Sequence, residues 1–265
     1  MSSSPSFIAG VVLTKNEARH IQDCVASLAW CDLCLVWDSF SSDRTCALAQ
    51  NAGATVIQHP FAHYAQQRNA ALAWVKQHFE TLDSAAPHAW VFFLDADERC
   101  PSALAQELRT VAQTDQHAVW SVPRDNYLFG NVTRGGGWYP DYQARLFLLG
   151  RSGYDPHRMV HEVAQFEGEM GYLTQTLTHY NYDNVAQFHE KQRRYTAYEA
   201  GILFKRGVRP KLQNFILQPL REFRRRFIQL KGYVDGWHGC HLALLMAYYN
   251  FDMYRRLRRM WRENG

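Results

Sequence analysis

The sequence predicts an α/β fold, a mainly parallel sheet with helices on both faces, followed by a C-terminal helical extension. Two observations lead there. Between residues 7 and 97, short apolar runs alternate with segments of helical spacing, the signature of strands crossing over through helices. From Asn184 onward helical spacing takes over and the composition turns basic. The expected boundaries are 1–183 for the α/β domain and 184–265 for a basic amphipathic extension.

The elements follow in order. Phe7–Leu13 is a buried strand ending in the polar Thr14-Lys-Asn-Glu17, where a helix carrying Ile21, Val25 and Leu28 begins. Leu33–Trp37 is the second strand and ends at Asp38. Ser39–Arg44 is a polar turn, Cys46–Asn51 a helix that Gly53 stops, and Ala54–Ile57 a third strand. Gln66–Phe79 reads as a helix, and Trp90–Leu94 as a fourth strand closed by Asp95-Ala-Asp97. Val119–Val122 and Arg145–Leu149 are β-like runs, placed in the same domain around a flexible loop at Gly135-Gly-Gly137. In parallel sheets ligands bind beyond the carboxyl ends of the strands. Three polar clusters lie at those ends: Thr14–Glu17, Asp38–Asp43 and Asp95–Asp97.

Composition narrows the class. The 265 residues are 47% apolar and 20% charged, a globular balance. Residues 186–265 hold 17 Lys and Arg against 6 Asp and Glu, a net of +11, whereas residues 1–185 hold 12 against 19, a net of −7. The two parts therefore face different partners. Of the six cysteines, Cys31 and Cys34 make a lone C-x-x-C with no second pair at zinc spacing, and Cys34 reads as core. Met1–Ser6 lacks a basic region followed by an apolar stretch, so no signal peptide is expected. The longest uncharged stretch near the tail, Gly236–Phe251, has 16 residues. A spanning helix needs about 20, so no membrane crossing is expected.

Asp95-x-Asp97 is the central chemical motif. Two carboxylates at a strand end can share a hard divalent cation, Mg²⁺ or Mn²⁺, with phosphate oxygens completing the shell. Such an ion neutralises charge on a diphosphate leaving group. The bland alternative is a pair of acids capping the helix after Pro101. Asp38, beside Ser39, Ser41 and Ser42, can accept the imide N–H of uracil or a ribose hydroxyl, or simply form a strand-to-helix turn with Asp43 as cap. Asn16 and Glu17 likewise either meet a nucleotide or start a helix. Arg68 opens a helix as a phosphate partner or as a solvated first-turn residue. A nucleotidyltransferase would show a Gly-rich loop after the first strand, where this chain has Thr-Lys-Asn-Glu. An Asp-x-Asp phosphatase would show a hydroxyl residue soon after, where Glu98-Arg99 stands.

Val11-Val-Leu-Thr-Lys-Asn-Glu17, Val36-Trp-Asp-Ser-Phe-Ser-Ser-Asp-Arg-Thr45, His59-Pro-Phe61 with Gln67-Arg-Asn69, and Phe93-Leu-Asp-Ala-Asp-Glu-Arg99 occur in that order. Together they resemble family 2 glycosyltransferases of the GT-A (Rossmann-like) fold. Gly136–Phe147, Val160-His-Glu162 and the Tyr195 region resemble the bacterial lipopolysaccharide inner-core β-glucosyltransferase branch. Phe40 departs from the glycine usual in that branch, which puts the loop beside the base in doubt. The resemblance implies that Thr14, Asn16, Glu17, Asp38 with Ser39, and Arg68 cradle the nucleotide. It implies that Asp95 touches ribose or metal and that Asp97 ligates the metal. An inverting transfer also needs a base for the acceptor hydroxyl, for which Asp141 is the first candidate and Glu162 the second. His161 is a candidate metal or diphosphate ligand, or a packed histidine, and Arg145 a phosphate contact or a structural support. A UDP-hexose, glucose above all, is the implied donor and a lipopolysaccharide core sugar the implied acceptor. A polyprenyl phosphate or another glycan is the alternative acceptor.

In the tail, Phe215, Ile216, Leu220, Phe223, Phe227 and Leu230 recur at helical spacing among Arg221, Arg224, Arg225 and Arg226. Such helices lie in the headgroup region of anionic membranes, or pack one face on a domain and solvate the other. The expected setting is cytoplasmic, peripheral at the inner membrane. A different class, nucleic-acid binding through the Arg-rich tail, has no motif or basic front domain to support it, and no nucleic acid is expected.

Overall fold

The computed structural model describes residues 5–155 and 163–263. The chain forms β1 (Phe7–Thr14), α1 (Ile21–Ala26), β2 (Leu33–Asp38), α2 (Thr45–Asn51), β3 (Thr55–Gln58), α3 (Tyr64–Glu80) and β4 (Ala89–Asp95). After these come β5 (Glu98–Arg99), α4 (Ser102–Val111), β6 (Val119–Leu128), β7 (Asn131–Thr133) and β8 (Tyr142–Leu148). The short strands β9 (Ser152–Tyr154), β10 (Ala164–Phe166) and β11 (Gly171–Tyr172) precede β12 (Leu177–Tyr182). Helices α5 (Val185–Lys205), α6 (Asn214–Arg224) and α7 (Gly236–Glu263) complete the chain, with a π turn at Arg225–Gln229 and a 3-10 turn at Gly232–Asp235 before α7.

Two compact units result. One holds residues 1–124 and 142–179, the other residues 125–141 and 180–265. In the first, β3-β2-β1-β4 are all parallel. β8 then joins β4 antiparallel, and β6 joins β8 antiparallel. The sheet is therefore mixed: its first half is the expected parallel one, and its second half reverses direction. The chain leaves β1 outward to β2 and β3, then returns to the other side of β1 as β4. That reversal of strand order opens a crevice at the carboxyl ends of β1 and β4.

Both faces of the parallel strands are covered, which is why their sequences read as unbroken apolar runs. Ile8, Val12, Val36, Phe92 and Leu94 pack with Ile21, Cys24 and Leu28 near α1 and with Leu104 and Leu108 of α4. On the opposite face Ala9, Val11, Leu35, Val91 and Phe93 pack with Ala65, Ala71, Leu72 and Val75 of α3. Gly10 lies on the first face, where a Cβ would come within 3.1 Å of both Leu28 and Cys31. Burial raises the thiol of Cys31 well above its ordinary range and pushes that of Cys34 up to about 11, as a core role for this C-x-x-C requires.

The second unit is a hairpin and three helices. Leu128, Tyr182, Phe188, Leu242 and Tyr249 form one cluster, and Ala200, Met253 and Leu257 another. The sequence placed residues 125–141 in the first domain around a flexible glycine loop, and the structure differs on both points. The N–H groups of Arg134 and Gly135 donate to the Asp235 carboxylate, that of Gly136 donates to Leu230 O, and the Arg226 guanidinium donates to Gly136 O. A Cβ on Gly135 would stand 2.2 Å from Lys231 O, so the glycine serves close packing.

Candidate functional site

Strand register puts the polar clusters side by side. Thr14 pairs with Asp38 across β1 and β2, Leu13 with Asp95 across β1 and β4, and Asp38 with Gln58 across β2 and β3. Residues separated by more than eighty positions therefore share one edge of the sheet.

The loops after β1 and β2 are bonded to each other. The N–H of Asn16 donates to Ser41 Oγ, and the N–H of Ser42 donates to Asn16 Oδ1, both at 2.8 Å. Glu17 N donates to Thr45 Oγ1 at 2.8 Å, and Ala18 N to Asp43 Oδ2 at 3.2 Å. Asp43 also accepts from Thr45 N in the turn before α2, whose N-cap position is Arg44 and carries no side-chain cap. Asp38 is fully buried, and its carboxylate accepts from Thr14 Oγ1, Ser41 N, Ser41 Oγ and Gln58 Nε2. Burial pushes its pKa up, but these donors outweigh burial and hold it below the usual carboxylate value. In this structure the chain's own donors hold the Asp38 carboxylate at the strand end where a base or ribose was expected to meet it. Phe40, in the glycine position of this loop, adopts φ 57°, so the backbone keeps a glycine-like turn despite the side chain.

Ser39 is held from the α3 side. Gln67 Nε2 donates to Ser39 Oγ and to Pro60 O, while Gln67 Oε1 accepts from Trp37 Nε1. The next residue, Arg68, lies over the rings of Phe93 and Tyr154 at 5.2 and 5.4 Å, with Nη2 3.9 Å from Asp95 Oδ1. Asn69 fixes β9 through a pair of bonds to Tyr154. The predicted first-turn arginine is therefore buried and aimed at the acidic motif.

Around that motif the structure brings in Glu98, Arg124 and His179, which local sequence did not single out as site residues, and Arg145, which it read as a phosphate contact or a structural support. Arg145 Nη2 donates to Asp95 Oδ2 at 2.5 Å and to Glu98 Oε1 at 2.6 Å. Glu98 is fully buried; its Oε1 also accepts from Arg124 at 3.2 Å, and its Oε2 accepts the N–H of Asp95 at 3.0 Å. Burial works to raise the Asp95 pKa, but Arg145 and Arg68 outweigh it and hold the carboxyl well below the ordinary range. The capping alternative does not hold: α4 starts at Ser102 after Pro101, with no side-chain cap. Glu98 and Arg99 instead form β5, which pairs with β12 so that Glu98 lies opposite His179. His179 Nε2 stands 3.5 Å from Asp97 Oδ2. A cavity of about 130 Å³ opens beside Arg68 and Arg145, walled by Gln143, Tyr154 and Ala164.

Among the described residues no three His, Cys, Asp or Glu side chains form a ready metal cluster. The donor set nevertheless suits a hard divalent ion. Asp97 and His179 supply an oxygen and a nitrogen, and phosphate oxygens and water are the usual remaining ligands of Mg²⁺ and Mn²⁺. Asp95 is the poorer ligand because two guanidiniums already neutralise it. His161 and Glu162 lie outside the described residues. Asp141 lies in the second unit, where Asn126 Nδ2 donates to its Oδ2 at 3.1 Å and to Trp138 O at 2.8 Å.

The profile of Glycosyl transferase family 2 matches residues 11–165, the span that contains every strand-end cluster above. The chain belongs to this family. A lipopolysaccharide core biosynthesis glycosyltransferase, LpsC of Rhizobium meliloti, is 28% identical over 259 residues, 91% of this chain and 90% of that one. An uncharacterized glycosyltransferase of Rickettsia felis is 25% identical over 95% of this chain and 89% of its own length. Among solved structures, glucosyl-3-phosphoglycerate synthase of Mycobacterium tuberculosis, crystallised with Mn²⁺, UDP and glucosyl-3-phosphoglycerate, shares 20% identity at a TM-score of 0.34. That match covers 47% of this chain and 45% of the synthase. The chain thus spans under half the length of the synthase, and a likeness so slight says nothing of this chain's ligands. As a family 2 glycosyltransferase the protein is an enzyme. It carries the α/β fold and C-terminal helices predicted for it, with Asp95-Ala-Asp97 at the central strand end.

Proposed function

We propose that the enzyme is a metal-dependent, inverting transferase. It moves a hexose, glucose first among them, from a UDP-sugar to a sugar of the lipopolysaccharide core. One observation carries the reading: Asp97 with His179, and Asp95 with Arg68 and Arg145, converge at the crevice where the strand order reverses. Cations and acids alternate there, as recognition of a nucleoside diphosphate and its counter-ion requires. The similarity to LpsC, named for core biosynthesis, supports the acceptor class.

In this reading Asp97 and His179 hold Mg²⁺ or Mn²⁺, which supplies charge neutralisation to the departing diphosphate. Arg68 adds a buried guanidinium on the phosphate side. Thr14, Asn16, Glu17 and Ser39 shape the nucleotide wall, and Asp38 fixes it from behind. Asp141 is the base that takes the acceptor's proton as its oxygen attacks the anomeric carbon and the bond to the diphosphate breaks; Glu162 is the second candidate. Because the acceptor is lipid-anchored, the enzyme works peripherally at the cytoplasmic face of the inner membrane. No described helix is long and apolar enough to cross a bilayer.

Calorimetric titration with UDP, in Mn²⁺ and in EDTA, tests the donor site. Binding that requires the metal and disappears in Asp97→Ala and His179→Ala is expected. Retained metal-dependent binding in Asp97→Ala would overturn the assignment. A screen of lipopolysaccharide cores against polyprenyl phosphate then separates the acceptor classes.

A further inference from the structure

Resting on the membrane-surface part of that reading, we propose that the hairpin of α6 and α7 inserts a defined apolar face into the interfacial region of an anionic bilayer. The face is built from side chains that the fold leaves exposed or, at Phe223 and Phe227, half-buried. Helix α6 has no buried residue. Along it and the π turn, Ile216, Leu220, Phe223 and Phe227 recur every three or four positions and so share one side. Ile216 is 62% exposed and Leu220 61%.

Helix α7 repeats the arrangement. Its buried residues, Leu242, Tyr249, Met253 and Leu257 among them, occupy the inward side. Trp237, Leu244, Tyr248 and Phe251 fall on the opposite side at spacings of seven, four and three, and all are exposed, Trp237 by 81%. Aromatic ring contacts tie the segments together at both ends of the hairpin. At one end the rings of Phe215 and Phe251 lie 5.9 Å apart. At the other, the ring of exposed Tyr233 lies 6.4 Å from that of Phe227, and Val234 and Trp237, which follow in the chain, are exposed as well. An apolar surface of this extent on a soluble unit marks an interaction site.

Charge decides the occupant. Residues 186–265 carry 17 Lys and Arg against 6 acidic residues, and Arg221, Arg224 and Arg225 are exposed on the flanks of the α6 stripe. A second copy would present the same positive rim and be repelled. A sheet of lipid phosphates complements the rim while its acyl boundary takes the apolar side chains. Tryptophan and tyrosine, both prominent on the α7 stripe, favour that boundary layer.

The test is co-sedimentation of the full chain with vesicles of phosphatidylcholine alone or mixed with phosphatidylglycerol, alongside tryptophan emission. The mixed vesicles should bind the chain at least about tenfold more tightly. Raised salt should weaken this binding without abolishing it, because the apolar contact is unscreened. The emission should shift to the blue on binding, and Trp237→Phe should remove most of the shift. Ile216→Glu with Leu220→Glu, both at exposed positions, should weaken binding about tenfold or more with an unchanged melting temperature. A wild-type chain that ignores anionic vesicles, or a double variant that binds them equally well, would overturn the proposal. So would a vesicle-free dimer that the double variant dissociates, since the face would then belong to a second copy. Metal-dependent UDP binding on the same samples keeps the readings apart. Intact UDP binding without vesicle binding sinks the membrane face alone, and the reverse sinks the transferase reading alone.

Discussion

Glu98→Gln isolates the network that holds the acidic motif. The wild-type carboxylate is wholly buried and accepts from Arg145, Arg124 and the Asp95 N–H. Glutamine has the same shape, but only one of its two terminal atoms can accept. Whichever way the amide turns, an NH₂ group faces either the backbone N–H or the guanidiniums. Removing one partner of a buried ion pair costs about 3–5 kcal/mol, and the retained amide oxygen recovers a part of this, leaving about 2–3 kcal/mol. At about 2–4 °C per kcal/mol for a chain of this size, the melting temperature should fall by about 5–10 °C. The motif should also weaken as a site, because Asp95 then faces Arg145 and Arg68 without the Glu98 carboxylate that shares Arg145 with it. Differential scanning fluorimetry reads the first effect, and UDP titration in Mn²⁺ the second. A variant melting within about 2 °C of wild type, with unchanged metal-dependent UDP affinity, would refute the claim that Glu98 sets the geometry.

Asp141→Asn should leave UDP-sugar affinity intact while turnover falls by about 10²–10⁴-fold; the same pattern in Glu162→Gln, with Asp141→Asn active, would transfer the base assignment. Asp38 holds a pKa below its unfolded value, so its contribution to stability is complete above about pH 4 and fades as the pH falls toward the folded value. The melting-temperature gap between wild type and Asp38→Asn should therefore be widest near neutral pH and narrow below about pH 4, and a gap that widens on acidification would contradict this. Phe40→Gly should relieve about 1 kcal/mol of left-handed backbone strain, partly offset by a freer unfolded chain; urea unfolding should show a small gain in stability, and a loss would mean that the phenyl ring packs usefully.

Most of what is local in this protein was legible in the sequence. The alternating apolar runs located β1 to β4 and their helices, because both faces of these strands are buried. The turn residues that follow marked the edge where Thr14, Asp38 and Asp95 gather. What escaped was set by pairing between distant segments. His179 sits on a short strand, Leu-Thr-His-Tyr-Asn-Tyr, where alternation marks it only as inward-facing like Leu177. It reaches Asp97 because β12 pairs with β5, a register that no local pattern encodes. Glu98 drew no role of its own in the sequence, because acids before a proline and a helix are commonly caps. Its burial between Arg124 and Arg145 depends on strands that come decades of residues later. The triple glycine invited a flexible reading, and only the carbonyl of Lys231 against Gly135 shows the close approach that requires it.

The mutual bonding of the loops after β1 and β2 has a thermodynamic consequence. Asn16, Ser41, Ser42 and Thr45 satisfy one another, so the wall beside the strand ends is ordered before any visitor arrives. A ligand meeting such a wall loses little of its binding free energy to freezing mobile backbone. Its association can proceed as a docking step, without a slow rearrangement of these two segments.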